Sequence, residues 1–391
     1  MQALSGLKIL DFTLNMPGPY MTRLLTLLGA DVLKVENPAS PDPSRKGWDL
    51  TPGAFNPLFG LLNKGKKGIT LNLKTPEARE IVIRLLDHYD ILVEGFRPGV
   101  MERLGLNYET LSQLCPRLIY VSISGFGQTG SGRLKPGHDL NCQALAGCFD
   151  AVVNAGHVPQ MPGLAIADQV GGGFFGILGL LSAVLQREKT GKGQYVDVSM
   201  THGALALNVS GTIRAMTQAV SPTPTGSTDQ RKRDMLQGGQ PYYNIYETQD
   251  GRHIVLAAIE PKFWENFCKT VDRDDLIPLH LGGEPVVKKV AEIFKSRPLD
   301  AWCRLFENVD ACVAPVQTVA EALDSDIIRS RAVALDNGYD TITSMMPLRL
   351  SASPVKDDAP GPEPGQHNTD VLTRLGFSED DIAALKARGV I

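Results

Sequence analysis

Alternation of short apolar runs with amphipathic stretches is the feature that most restricts the fold of this chain. Leu7-Lys8-Ile9-Leu10-Asp11-Phe12 reads as a strand, and Met16-Pro17-Gly18-Pro19-Tyr20 opens an amphipathic stretch that Gly29 closes. Asp31-Val32-Leu33-Lys34-Val35-Glu36 is a second strand, so the chain begins with a βαβ unit whose helix carries a glycine stop. A loop rich in Pro, Ser and Asp follows from Asn37 to Ser44. Then come a third strand near Gly68 to Leu73, a helix from Thr75 to His88, and buried strands at Ile91 to Phe96 and Leu118 to Ile123. Strands alternating with helices predict an α/β fold with a mostly parallel, doubly wound, Rossmann-like sheet. No G-x-G-x-x-G follows the first strand, so a dinucleotide site has little support.

Further along, a glycine-rich apolar helix begins near Asp168 and ends at Thr190-Gly191-Lys192-Gly193. Gln194 to Met200 alternates as a strand, and another helix runs to about Ala219. The polar, proline-punctuated Ser221 to Thr228 reads as a linker. Beyond it, Tyr242 to Glu247 and His253 to Ile259 form a hairpin around Asp250-Gly251, with helices from Pro261, Val286 and Pro298. The expected layout is a large domain over 1–221 together with 328–391, and a small α+β domain over 222–327. The tail, with Leu348-Arg349-Leu350 and a last helix from Ser378 to Arg388, is expected to return to the large domain.

At 391 residues, about two domains are expected on a prior of roughly 150 residues each. Hydrophobic residues at 43% with 39 Gly and 26 Pro fit an enzyme with many tight turns rather than a disordered chain. The net charge of −4 is spread evenly, which argues against a nucleic-acid partner. The six cysteines lack C-x-x-C spacing and accompanying histidines, so no metal is expected. The N-terminus lacks a signal-peptide layout, and the apolar run Val170 to Leu185 is shorter than the ~20 residues of a bilayer span. A buried helix, no membrane contact and a cytoplasmic location are the expectations.

Chemistry concentrates in Gly137-His138-Asp139-Leu140-Asn141 and in Asp168, at the mouth of Gln169-Val170-Gly171-Gly172-Gly173. A His and an Asp converging on one carbon from opposite sides can take a proton from one face and return it on the other, the work of a cofactor-independent racemase beside a carbonyl. An Asp alone suits a carboxylate nucleophile in acyl transfer. The same residues also have structural readings. Asp168 can be an N-cap, His138 a polar residue beside a glycine turn, and Glu260 a strand-to-helix junction before Pro261.

Several separated segments together resemble class III CoA-transferases and α-methylacyl-CoA racemases, the CaiB–BaiF family, over nearly the whole chain. They are Gly29 to Glu36, Phe96-Arg97-Pro98-Gly99 with Arg103-Leu104-Gly105, Ser124 to Gly130, Gly137-His138-Asp139, Arg187 to Gln194, and Leu236 to Tyr242. The resemblance implies an interlocked homodimer whose large domain binds CoA, with no prosthetic group and a CoA thioester as substrate. It makes Asp168 the shared catalytic carboxylate, a nucleophile in transferases and one of two acid/base groups in racemases. The second racemase group matches His138, and Glu260 matches the Glu that orients it. Several transferases lack that His and carry Gln near Met16, which here cannot donate a hydrogen bond. Gly238-Gly239 matches a glycine loop that covers the transferase site.

For CoA itself the resemblance points to Leu71 by the adenine, to Phe96, Arg97 and Arg103 near adenine and phosphates, and to Lys135 near the catalytic strip. Two departures are Asn37, where the family often has Arg, and Gly95, where Asn is common. Arg45 or Lys46 is the expected substitute for the missing arginine. N–H groups and the dipole at the start of the helix after Asp168 are expected to favour an ionised Asp168 and to supply donors for an enolate oxygen. Asp139 or Glu260 is expected to fix the His138 tautomer. The leading expectation is a 2-methylacyl-CoA racemase. The competing ones are a CoA-transferase working through Asp168 and a catalytically idle CoA-binding paralogue.

Overall fold

The computed structural model describes residues 1–46, 57–151, 159–220, 238–330, 346–355 and 360–391. The Ser221 to Thr228 linker and the Leu236-Gln237 start of the glycine loop lie outside these residues. The chain divides into two compact units. The first comprises Met1–Val153, Pro159–Ile213 and Val333–Ile391, and the second Asn154–Val158 and Arg214–Ala332.

In the first unit, β1 (Lys8–Phe12), β2 (Asp31–Glu36), β3 (Lys67–Thr70), β4 (Ile91–Glu94), β5 (Ile119–Ser124) and β6 (Tyr195–Ser199) form one sheet in the order β3-β2-β1-β4-β5-β6. Every pairing is parallel. The strands bury both faces. Leu10, Leu33, Leu92 and Tyr120 point into one core with the helices Pro76–Leu85, Asn368–Arg374 and Glu379–Ala387. Ile9, Val32, Ile91, Ile119 and Val121 point into the other, against the helices Pro17–Leu27 and Phe175–Thr190. A two-residue side-chain period on strands covered from both sides explains why they read as nearly unbroken apolar runs. The strand order reverses between β1 and β4, which places the ligand crevice of such a sheet outside their carboxyl ends.

A buried ionic cluster braces this end of the sheet. Lys66 Nζ lies 3.0 Å from Asp11 Oδ2, and Lys34 Nζ lies 2.9 Å from Asp42 Oδ2, all four side chains excluded from solvent. Burial pushes the Asp11 carboxyl up, but Lys66, Lys34 and the hydroxyls of Thr13 and Thr22 more than offset it and hold it well below the ordinary range. Lys34 also donates to the Thr13 carbonyl, and Asp42 accepts the Asn15 N–H. The β1-to-helix turn is therefore pinned from beneath, with Asn15 held at φ 62°.

The glycine-rich helix differs from its expected form. A π-helical turn, Ala167–Phe174, runs directly into the α-helix Phe175–Thr190. Together they make a 24-residue helix long and apolar enough, by length and composition, to cross a membrane. It is buried on one face only. Leu180, Ala183 and Arg187 face the core, while Phe174, Leu178 and Leu185 are exposed. The helix expected to run on from Met200 breaks at Asn208, giving Met200–Leu207 and Val209–Val220.

The second unit contains an antiparallel sheet of β7 (Tyr243–Glu247), β8 (His253–Ala257) and β9 (Val313–Pro315), in that order. The expected hairpin turns at Asp250-Gly251, with Gly251 at φ 73°. Trp264, Phe267, Phe294, Trp302 and Phe306 fill its core. His280, in the turn after Asp274–Leu279, is half-buried. Its ring lies 4.2 Å from that of Tyr242, and its Nε2 lies 3.1 Å from the Ala258 carbonyl.

Candidate active site

Asp168 occupies the second position of the π-helical turn, and Ile166 rather than Asp168 is its N-cap. The cap reading therefore does not describe Asp168. Wide turns of this kind are frequent at functional sites. Here the turn is held by close backbone packing. A Cβ on Gly171 would lie 2.4 Å from the Met200 carbonyl oxygen, and one on Gly203 would lie 2.4 Å from the Gly171 Cα. Only hydrogen fits at either position, so the helix Met200–Leu207 rests directly on the first turn and fixes where Asp168 begins.

The G-H-D motif approaches from the helix Asp139–Leu145, for which His138 is the N-cap. The His138 N–H donates to Asn141 Oδ1 at 3.0 Å, and its side chain is exposed. Asp139 Oδ1 accepts the Asp168 backbone N–H at 2.9 Å, and Oδ2 accepts from the Gln143 amide. That amide also donates to the Leu164 carbonyl at 2.9 Å, tying the motif to the segment before Asp168. Asp139 thus orients Asp168, not the His138 ring as expected.

Burial, and next the Asp139 carboxylate, push the Asp168 carboxyl up to about 7. This reverses the expectation that the helix dipole keeps Asp168 ionised. The physical reason is local. Asp139 already occupies the Asp168 N–H, and the Gln169 N–H donates to the Ala165 carbonyl at 2.9 Å. Neither of these two N–H groups remains open to stabilise an anion, so desolvation decides. The enolate donors expected from them are likewise unavailable. The site is instead a half-buried carboxyl poised near neutrality, one hydrogen bond from a second carboxylate that directly follows an exposed imidazole.

Glu260 belongs to the second unit. It is exposed and N-caps the helix Pro261–Thr270 without a side-chain cap bond. Gly238, also in that unit, is tied down by Asn244, whose amide donates to its carbonyl at 2.9 Å.

Of the residues expected to meet CoA, Phe96 and Arg97 follow β4 at the switch point, and Arg97 is exposed. Lys135 is exposed in the segment before His138. Arg103 lines a surface groove of about 420 Å³ with Lys74, Thr75 and Arg79. Lys74 and Arg79 escape a sequence reading because charged surface residues carry no spacing signal. Two expectations need correction. Leu71 is 1% exposed within the core and its N–H donates to the Glu36 carbonyl at 2.7 Å, so it offers no surface to a ligand. Arg45 forks onto both oxygens of Glu36 at 2.9 and 2.7 Å, donates to the Pro362 carbonyl and stacks 3.6 Å above Phe59. It is a structural brace, since Glu36 two strands from the switch point holds it first.

The model of CoA-transferase family III matches residues 4–368. The chain is 33% identical to an alpha-methylacyl-CoA racemase of Homo sapiens, covering 100% of this chain and 97% of the relative. It is 32% identical to a succinyl-CoA:mesaconate CoA-transferase of Haloarcula marismortui, over 96% of this chain and 97% of the relative. Among solved structures, a CaiB/BaiF family protein from Brucella suis superposes with a TM-score of 0.79 at 26% identity, covering 96% of this chain and 99% of that one. With its six-stranded parallel sheet and a family match across nearly its whole length, the chain belongs to CoA-transferase family III.

Proposed function

We propose that this protein is a 2-methylacyl-CoA racemase that moves the α-proton of a CoA thioester through an enolate. The observation that carries this reading is the Asp139–Asp168 contact. Burial of Asp168, and next the Asp139 charge at that contact, give it a proton affinity near neutrality, where a general acid/base works best in both directions. A group that must take a proton in one direction and give it in the other gains from that poise. His138, exposed and adjacent to Asp139, supplies the second acid/base group. The full-length likeness to a racemase supports the same reading.

In this mechanism Asp168 removes the α-proton from one face while protonated His138 delivers a proton to the other, and the roles exchange for the opposite enantiomer. Phe96, Arg97 and the Lys74–Arg79–Arg103 groove hold the nucleotide, with arginine suited to phosphate through paired N–H groups. A second copy of the chain covers the exposed apolar side chains of Phe174, Leu178 and Leu185, so the working form is a homodimer.

A CoA-transferase is the second reading, favoured by the full-length likeness to succinyl-CoA:mesaconate CoA-transferase. In it Asp168 attacks the thioester carbonyl and expels CoA thiolate, giving an acyl anhydride. The thiolate attacks the Asp168 carbonyl and frees the first acid. The acceptor carboxylate displaces the thiolate from that aspartyl thioester, and the thiolate takes the new acyl group and frees Asp168. Each enantiomer of a 2-methylacyl-CoA in deuterium oxide, without acceptor acid, separates the two. The racemase incorporates α-deuterium and loses optical purity. In His138→Ala, Asp168 still exchanges one enantiomer with configuration retained. Transfer to an added acid with no exchange in the wild type would overturn the racemase.

A further inference from the structure

Glu94 is a buried carboxyl for which the proposed chemistry has no use. It ends β4, where the strand order reverses, and is 4% exposed. Its Oε2 accepts the Phe96 N–H at 2.8 Å, across the turn that carries Phe96 and Arg97. Its register partners are Phe12 on β1 and Ser122 on β5, and the Ser122 hydroxyl bonds its carboxyl. Gly95 follows, beside Thr13 and the Ile123 carbonyl. Glu94 is therefore the side chain that closes the turn facing the crevice.

Among the described residues, the groups facing this carboxyl supply no positive charge. From β1 comes the Phe12 ring. From β5 and β6 come Tyr120, Tyr195 and the Asp197 carboxylate, with Tyr108 packed on both tyrosines. Burial foremost, opposed by the Ser122 and Phe96 hydrogen bonds and aided by Asp197, pushes the Glu94 carboxyl up to about 7. A second buried carboxyl is thus poised near neutrality, on the turn that carries Phe96 and Arg97.

We propose that Glu94 is a positioning residue for CoA: it fixes the Phe96-Arg97 turn at the switch point, and its protonation sets how well that turn receives an anionic nucleotide. This rests on the CoA-thioester reading above. Protonated, the carboxyl still accepts the Phe96 N–H through one oxygen and brings no charge near the phosphates. Ionised, it holds the turn but repels them, in a site too buried for solvent to screen fully.

Calorimetric titration of free CoA into wild type, Glu94→Gln and Glu94→Ala at pH 6, 7 and 8 tests this. Gln keeps an acceptor for the Phe96 N–H and cannot ionise. It is expected to bind like wild type at pH 6 and to lose less affinity by pH 8 than wild type does, what remains being the titration of CoA itself. Ala releases the turn and, like Gln, cannot ionise, so it is expected to bind about tenfold more weakly than Gln at every pH, the scale of one hydrogen bond. Ala binding as tightly as Gln would overturn the proposal, as would Gln retaining the full wild-type pH response. The Gln comparison decides alone if the Ala variant fails to fold. Wild type that does not bind CoA at all would instead refute the CoA-thioester reading, and this inference with it.

Discussion

Burial first, and then the neighbouring Asp139 carboxylate, raise the proton affinity of Asp168. Asp139 acts on Asp168 by a hydrogen bond to its backbone and by charge. Asp139→Asn keeps the acceptor oxygen and removes the charge. The Asp168 carboxyl is then expected to fall part of the way from about 7, burial, the larger of the two causes, still holding it above the ordinary range. The base form is required for proton removal, so exchange in wild type rises with pH up to the Asp168 midpoint. In Asp139→Asn that acid limb moves to lower pH, read from the pH profile of α-deuterium incorporation. An unmoved limb would show that Asp139 has no electrostatic hold on Asp168. The residue types of this site were legible in the sequence, His138, Asp139 and Asp168 among them. Their division of labour was not, because residues 139 and 168 meet only through the packing of two helices.

At the scale of the element, the helix that begins at Ala167 depends on glycine for closeness rather than for flexibility. Gly171→Ala sets two effects against each other. Alanine favours a helix interior by up to about 1 kcal/mol over glycine. The added Cβ, however, would sit 2.4 Å from the Met200 carbonyl oxygen, a backbone atom that cannot turn aside. Overpacking of this kind costs about 1–3 kcal/mol, so the clash wins. The variant is expected to melt several degrees lower and to lose exchange activity beyond what instability explains, since the strain falls one turn from Asp168. Gly179→Ala is the control. Its Cβ meets only the Val196 side chain, at 2.7 Å, and a smaller drop in melting temperature is expected. Equal melting temperatures for the Gly171 variant and wild type would mean that the two helices separate freely. The glycine run itself is plain in the sequence, but the π-helical turn is not. Its widening answers to Met200 and Gly203, which lie far along the chain.

At the scale of the whole molecule, the exposed apolar face of the helix Phe175–Thr190 carries the assembly prediction. Leu178 and Leu185 are 60% and 66% exposed, and Leu205 and Ile213 add to the apolar surface. Isolated chains would present more contiguous apolar surface than a stable monomer usually does. Sedimentation at low micromolar concentration is expected to give the mass of two chains, and Leu178→Lys with Leu185→Lys to shift it toward one. A wild-type monomer with full activity would refute the homodimer.

The sequence by itself determined the local grammar of this protein. Strand and helix periods, Gly29 and Gly191 as helix stops, and the Asp250-Gly251 turn are short-range properties, and each is read within a few residues. The β-α alternation then left little choice but a parallel sheet covered on both faces. Tertiary structure alone decided what the charged groups do. Arg45 reads as a free phosphate ligand until Glu36 and Phe59 are seen to hold it, and Leu71 reads as a ligand contact until the core closes over it. Asp168 and Glu94 are pushed up to about 7, while Asp11 is held low by Lys66 and Lys34. The reason is physical: proton affinity follows desolvation and the nearest charge, and both are set by residues that only folding brings together.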